Sequence, residues 1–256
     1  MTTLSPQEAT IAKALLDARQ SGHLADPKTT PVASDPASAM RIQADVVRQV
    51  DSEISGWKVG IAENTPFAAP LLGKVSLNAP ARWVQKSDTE FRIEVEIGVR
   101  LAKDLPPRPG KPYTREEITA AIDTVFCGIE MLGSRYSDYS NLAFLQGLSD
   151  CMHNGGYILG QEKKTQTIPG PLNEMKCICT LDGNEIFNGA PKHPQDDILL
   201  PLIEYASAQN DQLGGLKAGH IITTGALCGV LVTRTAGQFV ASITGFEDMV
   251  VDFAYA

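Results

Sequence analysis

The sequence is poor in positive charge: 22 lysines and arginines stand against 30 aspartates and glutamates, a formal net charge of −8. A nucleic-acid binder normally presents a basic face, so this balance argues against nucleic acid as a partner. Long apolar runs are also missing. Nothing approaches the roughly 18 residues of a spanning helix, so no membrane partner is expected. The opening MTTLSPQEATIAKALLDARQ is a polar amphipathic helix without a signal-peptide core, which points to a cytoplasmic protein. Cysteine is scarce and odd in number, five in all, which excludes an orderly disulfide framework. Cys177-Ile-Cys179 would put two thiols on one side of a strand, yet no second pair or histidine spacing completes a zinc site, and buried reduced thiols are expected. His153 and His193 likewise lack ligand spacing; His153 reads as a pocket residue and His193 as a structural one preceding a helix. There is no internal repeat and no low-complexity segment.

What remains is an ordinary globular composition, 256 residues with 43% hydrophobic and 20% charged, enough for one large domain or two small ones. Helices are predicted over 5–20 and 36–54, the second starting at Asp35-Pro36, and these fill an N-terminal helical segment, 1–55. From Gly56 the character changes to short strands: 56–60, 73–77, 81–85, 91–102, 125–132, 152–159, 175–181 with a return at 185–188, one after 216, 238–244 and 249–255. Further helices are expected over 114–125, where Thr114 and Glu117 form a capping box, over 137–147 and over 194–209. Helices do not alternate regularly with strands. That excludes a parallel doubly wound sheet and points to an α+β fold, a mixed β-sandwich or barrel over 56–256 that forms one structural unit with the helical segment.

Three places carry chemistry. In Phe91–Leu101, Ile93, Val95, Ile97, Val99 and Leu101 alternate with Arg92, Glu94, Glu96, Gly98 and Arg100, so Glu94 and Glu96 share a face about 7 Å apart. Such a pair is either a solvated polar face or half of a site for a hard cation such as Mg²⁺, Mn²⁺ or Ca²⁺. Glu130 interrupts the apolar run Val125–Leu132; a carboxylate there must be paired, protonated or metal-bound, with Arg92 or Arg135 as the ion-pair alternatives. Lys58 sits in Gly56-Trp-Lys-Val-Gly60, either as an edge-strand lysine or as a buried cation in need of a partner.

These segments, together with Leu216-Lys-Ala-Gly219 and Thr223-Thr-Gly-Ala226, resemble in order and spacing the 2-oxopent-4-enoate hydratase / 4-oxalocrotonate decarboxylase family of the fumarylacetoacetate hydrolase superfamily. The resemblance runs from Ala39-Met-Arg-Ile-Gln43 to the C-terminal strand. It implies a mixed β-sandwich roll of the fumarylacetoacetase C-terminal type, a cytoplasmic homo-oligomer, and one Mg²⁺ or Mn²⁺ held by Glu94, Glu96 and Glu130. It also implies a small-molecule 2-oxo acid substrate, a lysine near it at Lys58, and contacts to its carboxylate near Thr224. Several positions depart from the family pattern. Gly133-Ser-Arg135 stands for Asp-Ser-Arg, Asp150-Cys-Met-His153 for Asp-Asn-Ala-Ser, and Leu77-Asn78 where hydratases carry an acid.

On the resemblance, Lys58 is a general acid/base or a charged anchor for a carboxylate. Asp150 orients Lys58 or a water, or else caps the turn before the next strand. Thr223 and Thr224 supply donors to a carboxylate or form a simple turn. The chemistry expected is that of a lyase, a hydratase of the 2-hydroxypenta-2,4-dienoate type that ketonises a dienol and adds water. Decarboxylation of a 4-oxalocrotonate-type acid and carbon–carbon hydrolysis of an acylpyruvate are the alternatives. All three pass through a stabilised enolate, so three glutamates do not distinguish them. A non-catalytic homologue is the remaining reading.

Overall fold

A computed structural model describes residues 3–50, 53–73, 76–86, 89–139, 141–164, 168 and 171–256. Two helices, α1 (Pro6–Ser21) and α2 (Pro36–Val50), lead into β1 (Ile54–Ala62), β2 (Thr65–Leu72), β3 (Ser76–Asn78), β4 (Ala81–Gln85) and β5 (Phe91–Leu101). A short α3 (Arg115–Thr119) precedes β6 (Ile122–Leu132), and α4 (Phe144–Ser149) precedes β7 (Asn154–Leu159). The hairpin β8 (Cys177–Leu181) and β9 (Asn184–Gly189), helix α5 (Leu200–Ala208) and strands β10 (Ile221–Thr223), β11 (Val230–Thr233), β12 (Gly237–Ile243) and β13 (Met249–Tyr255) complete the chain. Among the described residues no helix is long and apolar enough to cross a membrane.

The strands form two mixed sheets. The larger runs β2-β1-β10-β5-β6-β7-β3, with β11 also on β5, and the smaller runs β4-β13-β12-β8-β9. Most neighbours are antiparallel; β1/β10, β3/β7 and β4/β13 are parallel. The α+β expectation holds. Alternation along β5 and β6 divides the faces of the larger sheet. Val95, Ile97, Val99, Cys127 and Ile129 are buried in one cluster with Cys177, Cys179, Phe239, Ala241 and Val251 of the smaller sheet. Each such aliphatic side chain contributes roughly 1.5–3 kcal/mol on burial. Ile11, Leu15, Met40, Ile42 and Val46 of α1 and α2 pack instead with Phe67 of β2, Tyr136 and Leu148.

Local signals set several boundaries. Ser5 and Glu8 close a capping box at α1, and Gly22 ends it in the left-handed region at φ 76°. Asp35 Oδ1 accepts from the Ser38 amide at the start of α2. The capping box at Thr114 forms as expected, but α3 ends at Thr119 instead of continuing to 125. The β-branched run Ile122, Thr124, Val125 is taken up by the ladder to β5, and ladder pairing outranks a weak helical preference. Helix 36–54 stops at Val50, Ile54 already belongs to β1, and residues 51–52 lie outside the described set. The helix expected from 194 starts only at Leu200, after Asp196 has taken a left-handed φ of 54°. Of the helix expected over 137–147 only the end is helical, as the start of α4 at Phe144, and residue 140 lies outside the described set. Two strands were not expected. β2 contains Pro66 and Pro70, which it tolerates as an edge strand whose only partner is β1; β11 is four residues long.

Asp150 lies at a junction of this framework and is 1% exposed. The Arg135 amide donates to its Oδ2 at 2.9 Å, the Arg135 guanidinium Nε donates to Oδ1, and Arg19 of α1 approaches Oδ1 at 3.7 Å. The adjoining Cys151, Met152 and His153 all adopt left-handed φ values of 53°, 48° and 62°, a costly run for non-glycine residues. The Asp150 carbonyl accepts from the His153 amide at 3.0 Å, the Gly133 amide donates to the His153 carbonyl at 2.8 Å, and Arg135 bonds the Asp150 and Asn154 carbonyls. These contacts hold the turn, and among the described residues no hydrogen bond or ion pair joins Asp150 to Lys58.

Burial works to raise the Asp150 carboxyl, but Arg135, His153 and Arg19 together overcome it and hold the group below the usual aspartate range. A depressed folded-state value means the stabilisation is present above the unfolded pKa of about 3.9 and is lost as pH falls through the folded one. Asp150→Asn leaves Arg135 buried without its counter-charge and is expected to cost about 3–5 kcal/mol at neutral pH. It should also flatten the acid limb of the stability profile, as measured by urea unfolding from pH 7 to pH 3.

Candidate metal centre

The ladders bring five of the expected residues to one patch. Glu94 on β5 stands opposite Glu130 on β6, Glu96 opposite Gly128, and Glu130 opposite Tyr157 on β7. On the other side, Gly98 faces Thr223 of β10, which faces Lys58 of β1. All share the face turned away from the core between the sheets. The three glutamates bring carboxylate oxygens within 4.8 Å of one another. Glu96 and Glu130 are fully buried, and the Glu94 side chain is 14% exposed.

Lys58 sits among them. Its Nζ donates to Glu94 Oε2 at 2.9 Å and lies 2.7 Å from Glu130 Oε2, the latter an ion pair without hydrogen-bond alignment. The Thr223 hydroxyl donates to Glu96 Oε2, and Asn154 Nδ2 donates to Glu130 Oε1 at 3.0 Å. Neither arginine considered for Glu130 reaches it. Arg92 pairs with Glu90 at 2.7 Å and covers the Tyr139 ring, and Arg135 is held by Asp150.

Three carboxylates face one ammonium in a largely buried site. Burial, reinforced by Glu130, pushes Glu96 well above the carboxylate range. Burial also lifts Glu130, to about 7, although Lys58 opposes it. For Glu94 burial acts in the same direction, but the charge and hydrogen bond of Lys58, with Glu130 and His153, overcome it and lower the group. Burial works to lower Lys58, and the charges of Glu130, Glu94 and Glu96 overcome it and raise the group above its usual value. Glu96 Oε1 is buried with no partner. An all-oxygen donor set and an unpaired buried carboxylate oxygen fit a hard divalent cation.

A cleft of about 790 Å³ opens onto this patch, lined among others by Lys58, Glu94, Met152, Lys192, Thr224 and Gly225. A break in the sheet creates it. β10 covers Gly98–Arg100 of β5 and β11 covers Phe91–Glu94, while residues 224–229 leave the plane between them. That crossing is pinned by the Leu227 amide donating to the Val95 carbonyl at 2.8 Å. Gly225 turns it at φ 141°, where an added Cβ would also meet Pro194 and His193 at 3.2–3.3 Å. His193 Nε2 donates to the Thr224 carbonyl at 3.1 Å, in line with its expected structural role. A neighbouring cleft of about 710 Å³ around Arg115 and Leu172 touches none of the three glutamates.

The two threonines therefore differ: the Thr223 hydroxyl is spent on Glu96, while Thr224 Oγ1 has no partner. Sequence reasoning missed Asn154, Tyr157 and Lys192. Gly128 was the available sign for Tyr157, since a Cβ there would lie 2.1 Å from the tyrosine hydroxyl. The β6–β7 register that aligns them is not written in either strand alone.

No family model matches the sequence. A 2-keto-4-pentenoate hydratase from Paraburkholderia xenovorans (strain LB400) and 2-keto-4-pentenoate hydratase 3 from Pseudomonas putida are each 27% identical over 164 residues, 63% of this chain. The matched segment spans 58% of the length of these curated relatives. Among solved structures, 4-oxalocrotonate decarboxylase from Pseudomonas putida G7, complexed with magnesium and adipate, has a TM-score of 0.73 at 17% identity over 99% of this chain and 100% of its own. Fumarylpyruvate hydrolase from Pseudomonas aeruginosa, in complex with Mn²⁺ and pyruvate, has a TM-score of 0.52 at 14% identity over 78% of this chain and 89% of its own. A yeast fumarylacetoacetate hydrolase family protein reaches 0.55 at 13% identity over 78% and 92%. The resemblance read from the motifs is borne out: the chain has the fold of the fumarylacetoacetate hydrolase superfamily and is similar in sequence to its 2-keto-4-pentenoate hydratases.

Proposed function

We propose that this chain is a divalent-metal-dependent lyase for a small 2-oxo or 2-hydroxydienoic acid, of the 2-hydroxypenta-2,4-dienoate hydratase type. The observation that carries the reading is the convergence of Glu94, Glu96 and Glu130 on one patch at the floor of a cleft, with Glu96 Oε1 unpaired. These three residues would hold Mg²⁺ or Mn²⁺. When bound, the ion supplies Lewis-acid stabilisation to the negative charge that develops on a 2-oxo oxygen. The hydratase names of the curated relatives support this chemistry, as do the magnesium and manganese named with the structural neighbours.

The chain's own groups then divide the work. Lys58, an ammonium with partners on two glutamates, can turn one N–H toward a substrate carboxylate as counter-charge. The unpartnered Thr224 hydroxyl and the backbone beyond it offer neutral donors on the cleft wall. Thr223 and Asn154 hold Glu96 and Glu130 in place, and the walls contributed by Met152 and Leu227 limit water around the reacting carbons.

A decarboxylase reading stands second, carried by two observations. Leu77-Asn78, where hydratases bear an acid, is on β3 beside β7 and supplies no carboxylate. The cleft also carries Lys192 besides Lys58, which suits a substrate with a second carboxylate. Assembly from copies of the chain belongs to the same proposal and is measured by sedimentation.

Glu96→Gln is expected to reduce Mg²⁺-dependent loss of the dienol absorbance of 2-hydroxypenta-2,4-dienoate by about 100-fold or more, and to weaken Mn²⁺ binding; unchanged turnover would remove the site assignment. With 4-oxalocrotonate and an acylpyruvate run alongside, product analysis separates hydration, decarboxylation and carbon–carbon hydrolysis. Gly128→Ala drives a methyl group against the Tyr157 hydroxyl. It should cost about 1–3 kcal/mol in thermal unfolding and weaken Mn²⁺ binding, read by the ion's electron paramagnetic resonance signal.

A further inference from the structure

Three of the five cysteines meet at a second place in the fold. Cys177 and Cys179 are two apart on β8, so both thiols point into the space between the sheets, with their sulfurs 3.9 Å apart. Cys228 arrives from the 224–229 crossing that borders the cleft; it is half-buried, whereas the other two are fully buried. One sulfur from each lies within 4.8 Å of the other two.

We propose that Cys177, Cys179 and Cys228 form a binding site for one soft, thiophilic d¹⁰ cation, Zn²⁺ or Cu⁺, separate from the three-glutamate centre. Donor chemistry assigns the two sites to different ions. Thiolate sulfur favours soft cations and carboxylate oxygen favours hard ones. The spacing fits. Three sulfurs at about 2.3 Å from a metal stand roughly 3.8–4.0 Å from one another, so the Cys177–Cys179 separation already matches and Cys228 needs to close by less than about 1 Å. The alternative is three small apolar fillers in the inter-sheet core. Strand alternation accounts for the Cys177–Cys179 pair, but not for a third sulfur brought to the same point from the cleft wall. Cys228 also provides the route by which an ion enters from solvent, and the cleft offers a water for a fourth position. Each thiol that becomes a ligand releases its proton to solvent. The bound ion would tie the 224–229 crossing to β8, and so fix the cleft wall that carries Thr224.

The test uses the full-length, reduced chain saturated with Mg²⁺ and titrated with Cd²⁺ as probe, following thiolate-to-metal absorbance in the near ultraviolet. The expected result is saturation at one equivalent, unaffected by Mg²⁺ and retained in Glu96→Gln, with about tenfold or greater weakening in Cys228→Ser and in Cys179→Ser. Displacement of the band by Zn²⁺ or by Cu⁺ identifies the preferred ion. Because Cys179→Ser alters the core, a second measurement on the unmodified chain accompanies it: Zn²⁺ should slow iodoacetamide alkylation of Cys228 about tenfold or more. No charge-transfer band, a band that survives both cysteine substitutions, a band lost in Glu96→Gln, or unslowed alkylation overturns the proposal.

Discussion

The constraint on which the rest depends is electrostatic: three carboxylates are gathered on a sheet face from which water is nearly excluded. Like charges a few ångströms apart in a low-dielectric setting repel by several kcal/mol, and one ammonium does not neutralise three of them. The chain relieves what it can. Lys58 bridges Glu94 and Glu130, Thr223 donates to Glu96, and Asn154 donates to Glu130. The raised Glu96 and Glu130 register the imbalance that remains. The arrangement is costly as a structural element and sensible as a receptor for a dication.

The framework explains how so costly an arrangement is held. One face of the larger sheet is bonded into the apolar core against the smaller sheet, so the register of β5 against β6 cannot slip without moving Val95, Ile97 and Ile129 out of that core. The opposite face is therefore free to carry polar chemistry at fixed positions. The left-handed run Cys151–His153 works in the same sense. Its backbone cost is offset by the Arg135–Asp150 ion pair, and it delivers Met152 to the cleft and Asn154 to Glu130. Asp150 thus bears on the site by holding this turn, and its carboxylate also lies 3.5 Å from the His153 ring.

Much of this was legible in the sequence, and the boundary of legibility has a physical cause. The alternation in Phe91–Leu101 gave both the strand and the shared face of Glu94 and Glu96, because period two is a local property. Glu130 stood out because a carboxylate in an apolar run is expensive wherever it is. What was hidden depends on ladders between distant segments. Asn154 and Tyr157 matter only through the β6–β7 register, and the division of Thr223 from Thr224 only through β10 lying between β1 and β5. Prolines 66 and 70 concealed β2 because their cost vanishes at an edge, a fact of topology and not of composition. The thiol pair at Cys177 and Cys179 was visible, but its third member lies across the sheet interface on a loop.

The departures from the family pattern lie around the charge cluster and not within it, and their placement bears on which reaction the centre serves. Leu77 and Asn78 are on β3 at the sheet edge, Gly133 bonds the His153 carbonyl, and Cys151 is packed with Val47, Ala69 and Leu72. None replaces a glutamate of the centre. On the lyase reading proposed above, the changes would leave the enolate-stabilising part of the reaction alone and alter the surroundings that decide the fate of the enolate: where a water stands, which carbon is protonated, and whether a second carboxylate is held. On that reading those choices would fall to the cleft wall, which includes Thr224, Cys228 and Lys192. A fold that keeps its charge cluster fixed and varies only this wall can change reactions without rebuilding its electrostatics, because the expensive part is shared by all of them.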